Sequence, residues 1–410
     1  MTNFDLFPQV SNKRIAIHVK PAAERMLRAC HPWVFDNSIR KQSHEGSAGD
    51  LAVIFDSKRR FLAVGLYDPH SPIRVKVLQH RQQATIDAAW FTERLQAAIA
   101  LRQPLVSAKT NGYRLLHGEN DGFPGLIIDV YAATLVMKLY SAAWLPHLKD
   151  IITALQTLHA FDRLLLRLSR NIQGIMAQYG LNDGQALVGA EITETVVFQE
   201  NGLSFAADVV HGHKTGFFFD QRDNRSEVRK LSTGRRVLDV FAYSGGFSLY
   251  AAAGGARSVT SLDISAPALA AAKGNFALNQ DDGNVKSSQH ITMVDDAFAG
   301  IESLRAEGRS FDMVIVDPPS FAKSAVEVER ALLSYTRLTR LALAVLDSDG
   351  VFVMASCSSR VTTSNFFNNV FSAVNDAGRS LTEIKRTSHA LDHPIGFPEG
   401  EYLKCLFAIV

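Results

Sequence analysis

From about residue 235 onward the chain alternates short apolar runs with stretches of helical period, and no other feature constrains its fold as strongly. RRVLDVFA (235–242), SVTSLDIS (258–265), FDMVIVDPP (311–319) and GVFVMASC (350–357) are rich in β-branched residues and bounded by Gly, Pro or Ser. Between them lie GGFSLYAAAGGA (245–256), a segment from Ser265 to about Asn279 with Pro267 in its first turn, and stretches near 326–346 and 364–376, all helical in character. YLKCLFAIV (402–410) reads as a final strand. Strands covered on both faces show continuous apolar runs, and right-handed crossovers place helices on each side. The spacing predicts an α/β, doubly wound, Rossmann-like parallel sheet over residues 201–410.

The front of the chain has a different rhythm. RIAIHV (14–19), DLAVIFD (50–56), FLAVGLYD (61–68) and IRVKVL (73–78) alternate as half-buried strands do, and Ser57-Lys58-Arg59-Arg60 forms a basic turn between two of them. Residues 1–82 are expected to form a small β-barrel module. Residues 83–200 are expected to form a central, β-rich α+β domain entered through a helical connector near 85–103. Residues 1–110 hold sixteen Lys/Arg against nine Asp/Glu, although the whole chain carries only +2. A basic module on a mildly acidic body is suited to following a phosphate backbone. The three cysteines (Cys30, Cys357, Cys405) are far apart and odd in number, which excludes a disulfide framework or a zinc ribbon. No apolar run approaches the roughly 18 residues of a bilayer span. A cytoplasmic location with no membrane partner and no metal is expected.

The chemistry gathers where strands end, because ligands of such sheets bind beyond the carboxyl ends of the strands. Asp239-Val-Phe241-Ala-Tyr-Ser244-Gly245-Gly246 follows the first strand. It lacks both the G-x-G-x-x-G of dinucleotide sites and the G-x-x-x-x-G-K-[ST] of phosphate loops. An acid ahead of a glycine loop suits a ligand carrying an ammonium and no phosphate, such as S-adenosylmethionine. Asp263, followed by Ile264, ends the second strand, where a carboxylate can accept both ribose hydroxyls, although an Asp ending a strand also serves as a helix cap or in a turn. Asp295-Asp296-Ala297-Phe298 follows ITMV, where one acid can meet the adenine amino group while Phe298 or Ala297 packs on the ring. Asp317-Pro318-Pro319-Ser320-Phe321 forms a stiff loop over the same crevice, or simply terminates its strand. Cys357 ends the next strand. A cysteine there is either a core residue or, if its thiol ionises readily, a nucleophile. The segment from His211 to Arg225 is expected to cover the methyl donor, with Gln221 or Arg222 touching it.

Together these strings resemble the 23S rRNA (cytosine-5) methyltransferases of the large-subunit methyltransferase I family. These are class I S-adenosylmethionine-dependent enzymes with an N-terminal PUA (pseudouridine synthase and archaeosine transglycosylase) domain. The most specific strings are HPWVF (31–35), GENDGFPGLIIDVY (118–131), GHKTGFFFDQRDNR (212–225), VFAYSGGFS (240–248), DPPSF (317–321), SCSS (356–359) and DHPIGFPEGEYLK (392–404). The resemblance implies that Asp239 through Gly246 line the methionine end of the cofactor, Asp263 its ribose, and Asp296 with Ala297 its adenine. Asp317 would flank the target base and Cys357 would be the nucleophile. It implies an RNA partner, 23S rRNA either naked or in an early assembly intermediate, and is compatible with a homodimer. Ser320 stands where many RNA cytosine-5 methyltransferases carry a second Cys as the releasing base, so the proton acceptor is open, with Asp317 the nearest candidate. A methyltransferase of the same fold with guanine N7 or an amino group as acceptor, and a non-enzymatic RNA-binding protein, are the competing readings. Cys357 separates the first of these from cytosine-5 chemistry, and cofactor binding tests the second.

Overall fold

The computed structural model describes residues 7–9, 11–322 and 324–410. The chain divides into two compact units. The first comprises the described residues up to Gly202 with Ala207–Phe219 and Leu391–Pro398, and the second Leu203–Ala206, Asp220–Ala390 and Glu399–Val410.

In the first unit, β1 (Ile15–Val19), α1 (Pro21–Arg28), β2 (Trp33–Phe35), β3 (Ile39–Gln42), β4 (Leu51–Phe55), β5 (Phe61–Tyr67) and β6 (Ile73–His80) build one sheet, ordered β2-β6-β5-β4-β1-β3. β1 and β4 run parallel and the other pairs antiparallel. The alternation puts Ile15, Ile17, Ile54, Val75 and Val77 on the inner face, where they pack with Leu27 of α1. The basic turn after β4 is held from inside. The Asp56 carboxylate accepts the Lys58 and Arg60 backbone N–H groups at 2.9 and 2.8 Å, which leaves Lys58, Arg59 and Arg60 exposed.

Next, α2 (Ala88–Ser107) starts at an Asp87 cap that accepts the Trp90 N–H. It leads to a second sheet of β7 (Gly112–His117), β8 (Leu126–Tyr131), β9 (Thr134–Leu139), β10 (Arg163–Leu168) and β11 (Ala186–Val188), ordered β11-β10-β9-β8-β7. The helices α3 (Leu148–Leu158) and α4 (Gln173–Ala177) and the strand β12 (Val196–Glu200) complete the unit. Phe91, Phe123 and Trp144 centre its larger core.

A buried ionic network fixes the late segment Leu391–Pro398 in this unit. Arg114 pairs both oxygens of Asp129 at 2.8 and 2.9 Å, and Arg102 pairs both of Asp121 at 3.0 and 2.7 Å. Asp392 accepts the Arg114 N–H at 2.8 Å, and its carbonyl accepts Arg102 at 3.0 Å. Charges this deep are tolerated because each has a hydrogen-bonded partner. Burial, reinforced by His393, Arg114 and Arg102, holds the His117 imidazole well below its ordinary pKa.

The second unit begins with the first four residues of β13 (Leu203–Ala207). It continues through α5 (Arg222–Leu231), β14 (Arg236–Val240), α6 (Gly246–Ala253), β15 (Ser258–Asp263), α7 (Ala266–Ala277), α8 (Gly283–Ser287), β16 (Gln289–Val294), α9 (Ala297–Ala306) and β17 (Phe311–Val316). Then come α10 (Val328–Val345), β18 (Leu346–Ser356), α11 (Thr363–Asp376), β19 (Thr382–Thr387) and β20 (Lys404–Ile409). The sheet order is β16-β15-β14-β17-β18-β20-β19. The expected parallel arrangement holds from β16 to β18, but β20 runs antiparallel between β18 and β19. Strand direction leaves no trace in an apolar run such as KCLFAI. β19 (TEIKRT) carries an exposed, charged edge and shows no strand-like apolar pattern. The order reverses at β14, so a crevice lies beyond the ends of β14 and β17.

Candidate active site

Every residue singled out at a strand end belongs to the second unit. Asp239, on the buried centre of β14, is 1% exposed. Its Oδ2 accepts the Ser248 hydroxyl at 2.6 Å, while its Oδ1 has no hydrogen-bond partner among the described residues. Burial, with further repulsion from Asp317 and Asp263, pushes this carboxyl up to about 7. A buried carboxylate oxygen left unmatched is costly unless a ligand supplies the donor.

The loop after β14 is strained. Phe241, Tyr243 and Gly245 take φ values of 64°, 49° and 74°, a left-handed conformation that non-glycine residues rarely adopt. The bonds that hold it include the Tyr243 N–H donating to Asp263 Oδ2 at 2.8 Å, the Ala242 N–H to the Leu262 carbonyl at 3.1 Å, the Gly245 N–H to the Ala242 carbonyl at 2.8 Å, and the Asn275 amide to the Ser244 carbonyl at 2.8 Å. Gly245 is required twice over, since a Cβ there would also lie 2.8 Å from that of Ala272. Gly246 opens α6.

Asp263 thus serves its neighbour's loop as well as its own turn, where Oδ1 accepts the Ser265 N–H at 2.8 Å. Ile264 beside it is 72% exposed, an apolar surface next to a carboxylate. Asp296 caps α9: its Oδ1 accepts the Phe298 and Ala299 N–H groups at 2.9 and 3.2 Å, and Ala297 is buried behind it. The sequence did not signal this cap, which uses Oδ1 of a residue expected to meet the adenine.

Beyond β17, Asp317 Oδ1 accepts the Gln221 amide at 2.8 Å, and Gln221 in turn accepts Asn224 at 2.5 Å. The Cys357 thiol donates weakly to the Pro318 carbonyl at 3.7 Å, which joins the DPPSF loop to the SCSS turn. Ser358 and Ser320 both donate to the Ala322 carbonyl, at 3.1 and 3.2 Å. The structure therefore brings together Gln221, Asp317, Pro318 and Cys357, and Asp317, whose N–H donates to the Val240 carbonyl at 3.4 Å, joins them to Asp239, the 241–246 loop and Asp263. The stretch from His211 to Phe219 belongs to the first unit and Gln221 and Arg222 to the second.

Two residues beside Cys357 escaped the sequence reading. The Tyr335 hydroxyl, from α10, lies 2.8 Å from the Ser356 hydroxyl, and Lys404 is buried in β20 against the turn after Cys357. A lysine inside the apolar run YLKCLFAIV was the available signal.

The residues present fit S-adenosylmethionine. Asp239 keeps an unmatched acceptor near the carboxylates of Asp317 and Asp263, a set suited to a cationic ligand. If the cofactor's ammonium faces Asp239, binding favours the ionised carboxylate. Affinity is then expected to rise as pH increases from 6 to about 7, with a proton released on binding in that range. Calorimetry in buffers of different ionisation enthalpy checks this, and Asp239→Asn should flatten the profile. In the free protein the sign is opposite. The raised pKa means the fold loses stability as pH rises from the ordinary carboxylate range to about 7.

Residues 113–402 match the S-adenosylmethionine-dependent methyltransferase family, and residues 17–80 a PUA-like domain. A ribosomal RNA large subunit methyltransferase of Deinococcus radiodurans is 47% identical over 405 residues, covering 98% of each chain. A ribosomal RNA large subunit methyltransferase I of Alteromonas mediterranea is 36% identical, covering 95% of this chain and 97% of its own. Among solved structures, an S-adenosylmethionine-dependent methyltransferase from Streptococcus mutans superposes with a TM-score of 0.79 at 22% identity, covering 96% of this chain and all of its own, which supports the fold. With a PUA-like domain ahead of a doubly wound sheet whose strand ends fit the methyl donor, the chain belongs to the large-subunit ribosomal RNA methyltransferases, enzymes dependent on S-adenosylmethionine.

Proposed function

We propose that the protein methylates C5 of a cytosine in 23S rRNA, with Cys357 as nucleophile. The observation that carries this reading is the Cys357 thiol at the end of β18, 3.7 Å from the carbonyl of Pro318 in the loop that Asp317 opens. The ring carbon C5 of cytosine is too weak a nucleophile to take a methyl group unaided. Addition of the Cys357 thiolate to C6 makes C5 enamine-like. When bound, S-adenosylmethionine supplies an electrophilic methyl group on a sulfonium. Once C5 carries the methyl, loss of its proton to a base expels the thiolate and restores the ring. Asp317, held by Gln221, is the candidate acceptor for that proton.

Cofactor binding is assigned to Gln221, Asp239, Phe241, Ser244, Gly245, Gly246, Asp263, Ile264, Asp296, Ala297, Asp317 and Pro318. In the same reading residues 1–82 grip the RNA backbone through their basic turn, 83–200 form a middle domain, and 201–410 carry the reaction. The enzyme acts in the cytoplasm on naked rRNA or an early assembly intermediate, with the target base in a loop or flipped from its stack. A homodimer fits this arrangement. The second reading, a guanine N7 or amino acceptor with Cys357 uninvolved, draws on Ser320 standing where a releasing Cys would be.

RNA containing 5-fluorocytidine distinguishes the two readings, because fluorine at C5 blocks proton loss and arrests the covalent adduct. A cofactor-dependent, denaturant-resistant complex attached through Cys357 is expected. Turnover of such RNA without an adduct would overturn the proposal.

A further inference from the structure

Lys404 has no part in the chemistry described so far, yet it is 2% exposed in a strand otherwise built of apolar residues. In the antiparallel pairing of β18 with β20 it stands opposite Ser356, the residue before Cys357. Its Nζ donates to the carbonyls of Ser358 and Val361, each at 2.7 Å, and to that of Tyr402 at 3.2 Å. An ammonium has three donors, and these contacts use all of them. None of the three acceptors is a carboxylate. Among the described residues the charge is hydrogen-bonded without a directly bonded counter-ion, an arrangement that is costly in a protein interior.

A neutral, apolar residue would fill this strand position at lower cost, so the placement of the charge needs a reason. Two of the accepting carbonyls belong to the turn that follows Cys357, and the ladder partner precedes it. Lys404 therefore brackets the thiol on both sides in sequence. Among the described groups, Tyr335 from α10, a phenol that burial keeps neutral, interacts electrostatically with Cys357, and Asp317 opens the loop whose Pro318 carbonyl the thiol meets. Neither favours a thiolate; a buried cation does. Burial pulls the Lys404 amine down to about 8, and both Glu401 and Cys357 oppose that fall. The coupling between Lys404 and Cys357 is reciprocal.

We propose that Lys404 is a positioning residue for Cys357, fixing the turn that carries the thiol and, as a buried cation beside it, favouring the thiolate. The inference rests on the reading of Cys357 as nucleophile, and it adds a residue that acts through the thiol without touching RNA.

The test is alkylation of the full-length protein with iodoacetamide between pH 6 and 10, without RNA or cofactor, with modification at Cys357 quantified by peptide mass spectrometry. In the unaltered protein the rate should reach half its plateau below the ordinary thiol value of about 8.5. In Lys404→Met, which loses charge and donors, and in Lys404→Gln, which keeps donors without charge, the midpoint should rise by about one pH unit, so that the rate at pH 7 falls about tenfold. A merely structural role would lower melting temperature and activity but leave the midpoint in place. A folded neutral variant with an unchanged midpoint overturns the proposal. If neither variant folds, the unaltered protein decides: a midpoint at or above about 8.5 overturns the proposal and a lower one supports it. Failure of the nucleophile reading is separately visible, since Cys357→Ala would then retain methyl transfer whatever the alkylation shows.

Discussion

Cys357→Ala is expected to lower methyl transfer to 23S rRNA by about ten-thousandfold, essentially to background, because it removes the step that makes C5 reactive. The fold should survive. Cys357 is only half-buried, and its contact with the Pro318 carbonyl is a weak thiol hydrogen bond at 3.7 Å. Melting temperature and cofactor affinity should stay close to those of the unaltered protein. Cys357→Ser should be nearly as inactive, since a hydroxyl of ordinary acidity is a poor nucleophile near neutral pH. Single-turnover transfer of a labelled methyl group checks both variants. Retention of even a tenth of the activity in Cys357→Ala would make the cysteine a packing residue.

Asp263→Ala is the second large effect. Asp263 is proposed to accept the ribose hydroxyls, and it also accepts the Tyr243 N–H at 2.8 Å, which helps to hold that residue at φ 49°. Its removal deletes a ligand contact and releases a strained loop. Hydrogen bonds to a charged acceptor contribute about 1.5–3 kcal/mol, so affinity for S-adenosylmethionine should fall by about a hundredfold. Asp263→Asn, which keeps one acceptor oxygen, should fall between. Isothermal calorimetry measures this directly, and an unchanged affinity in Asp263→Ala would remove the residue from the cofactor site.

The sheet could be read from the chain because parallel strands covered on both faces must be apolar throughout, as in FDMVIV and GVFVMAS, with helices of matching length between them. Asp263 and Asp317 were legible for the complementary reason, since a carboxylate following an apolar run can emerge where the strand ends, whereas Asp239 stays 1% exposed within β14. What stayed hidden depends on the third dimension. Nothing in TEIKRT marks β19 as a strand, since its residues face solvent along an edge. Nothing in DHPIGF shows that Asp392 will meet Arg114, far away in sequence but 2.8 Å away in the fold. The dual use of Asp296, cap and candidate ligand, depends on where each oxygen points. Lys404 was visible as a letter, but its meaning depends on β20 lying antiparallel beside β18, and direction is not encoded in an apolar run.

The most direct measurement supplies methyl-labelled S-adenosylmethionine and protein-free 23S rRNA lacking prior methylation, then digests the RNA to nucleosides and identifies the labelled one. The expected product is 5-methylcytidine, and it should vanish with Cys357→Ala. Labelled 7-methylguanosine, or an amino-methylated nucleoside that persists in that variant, would contradict it.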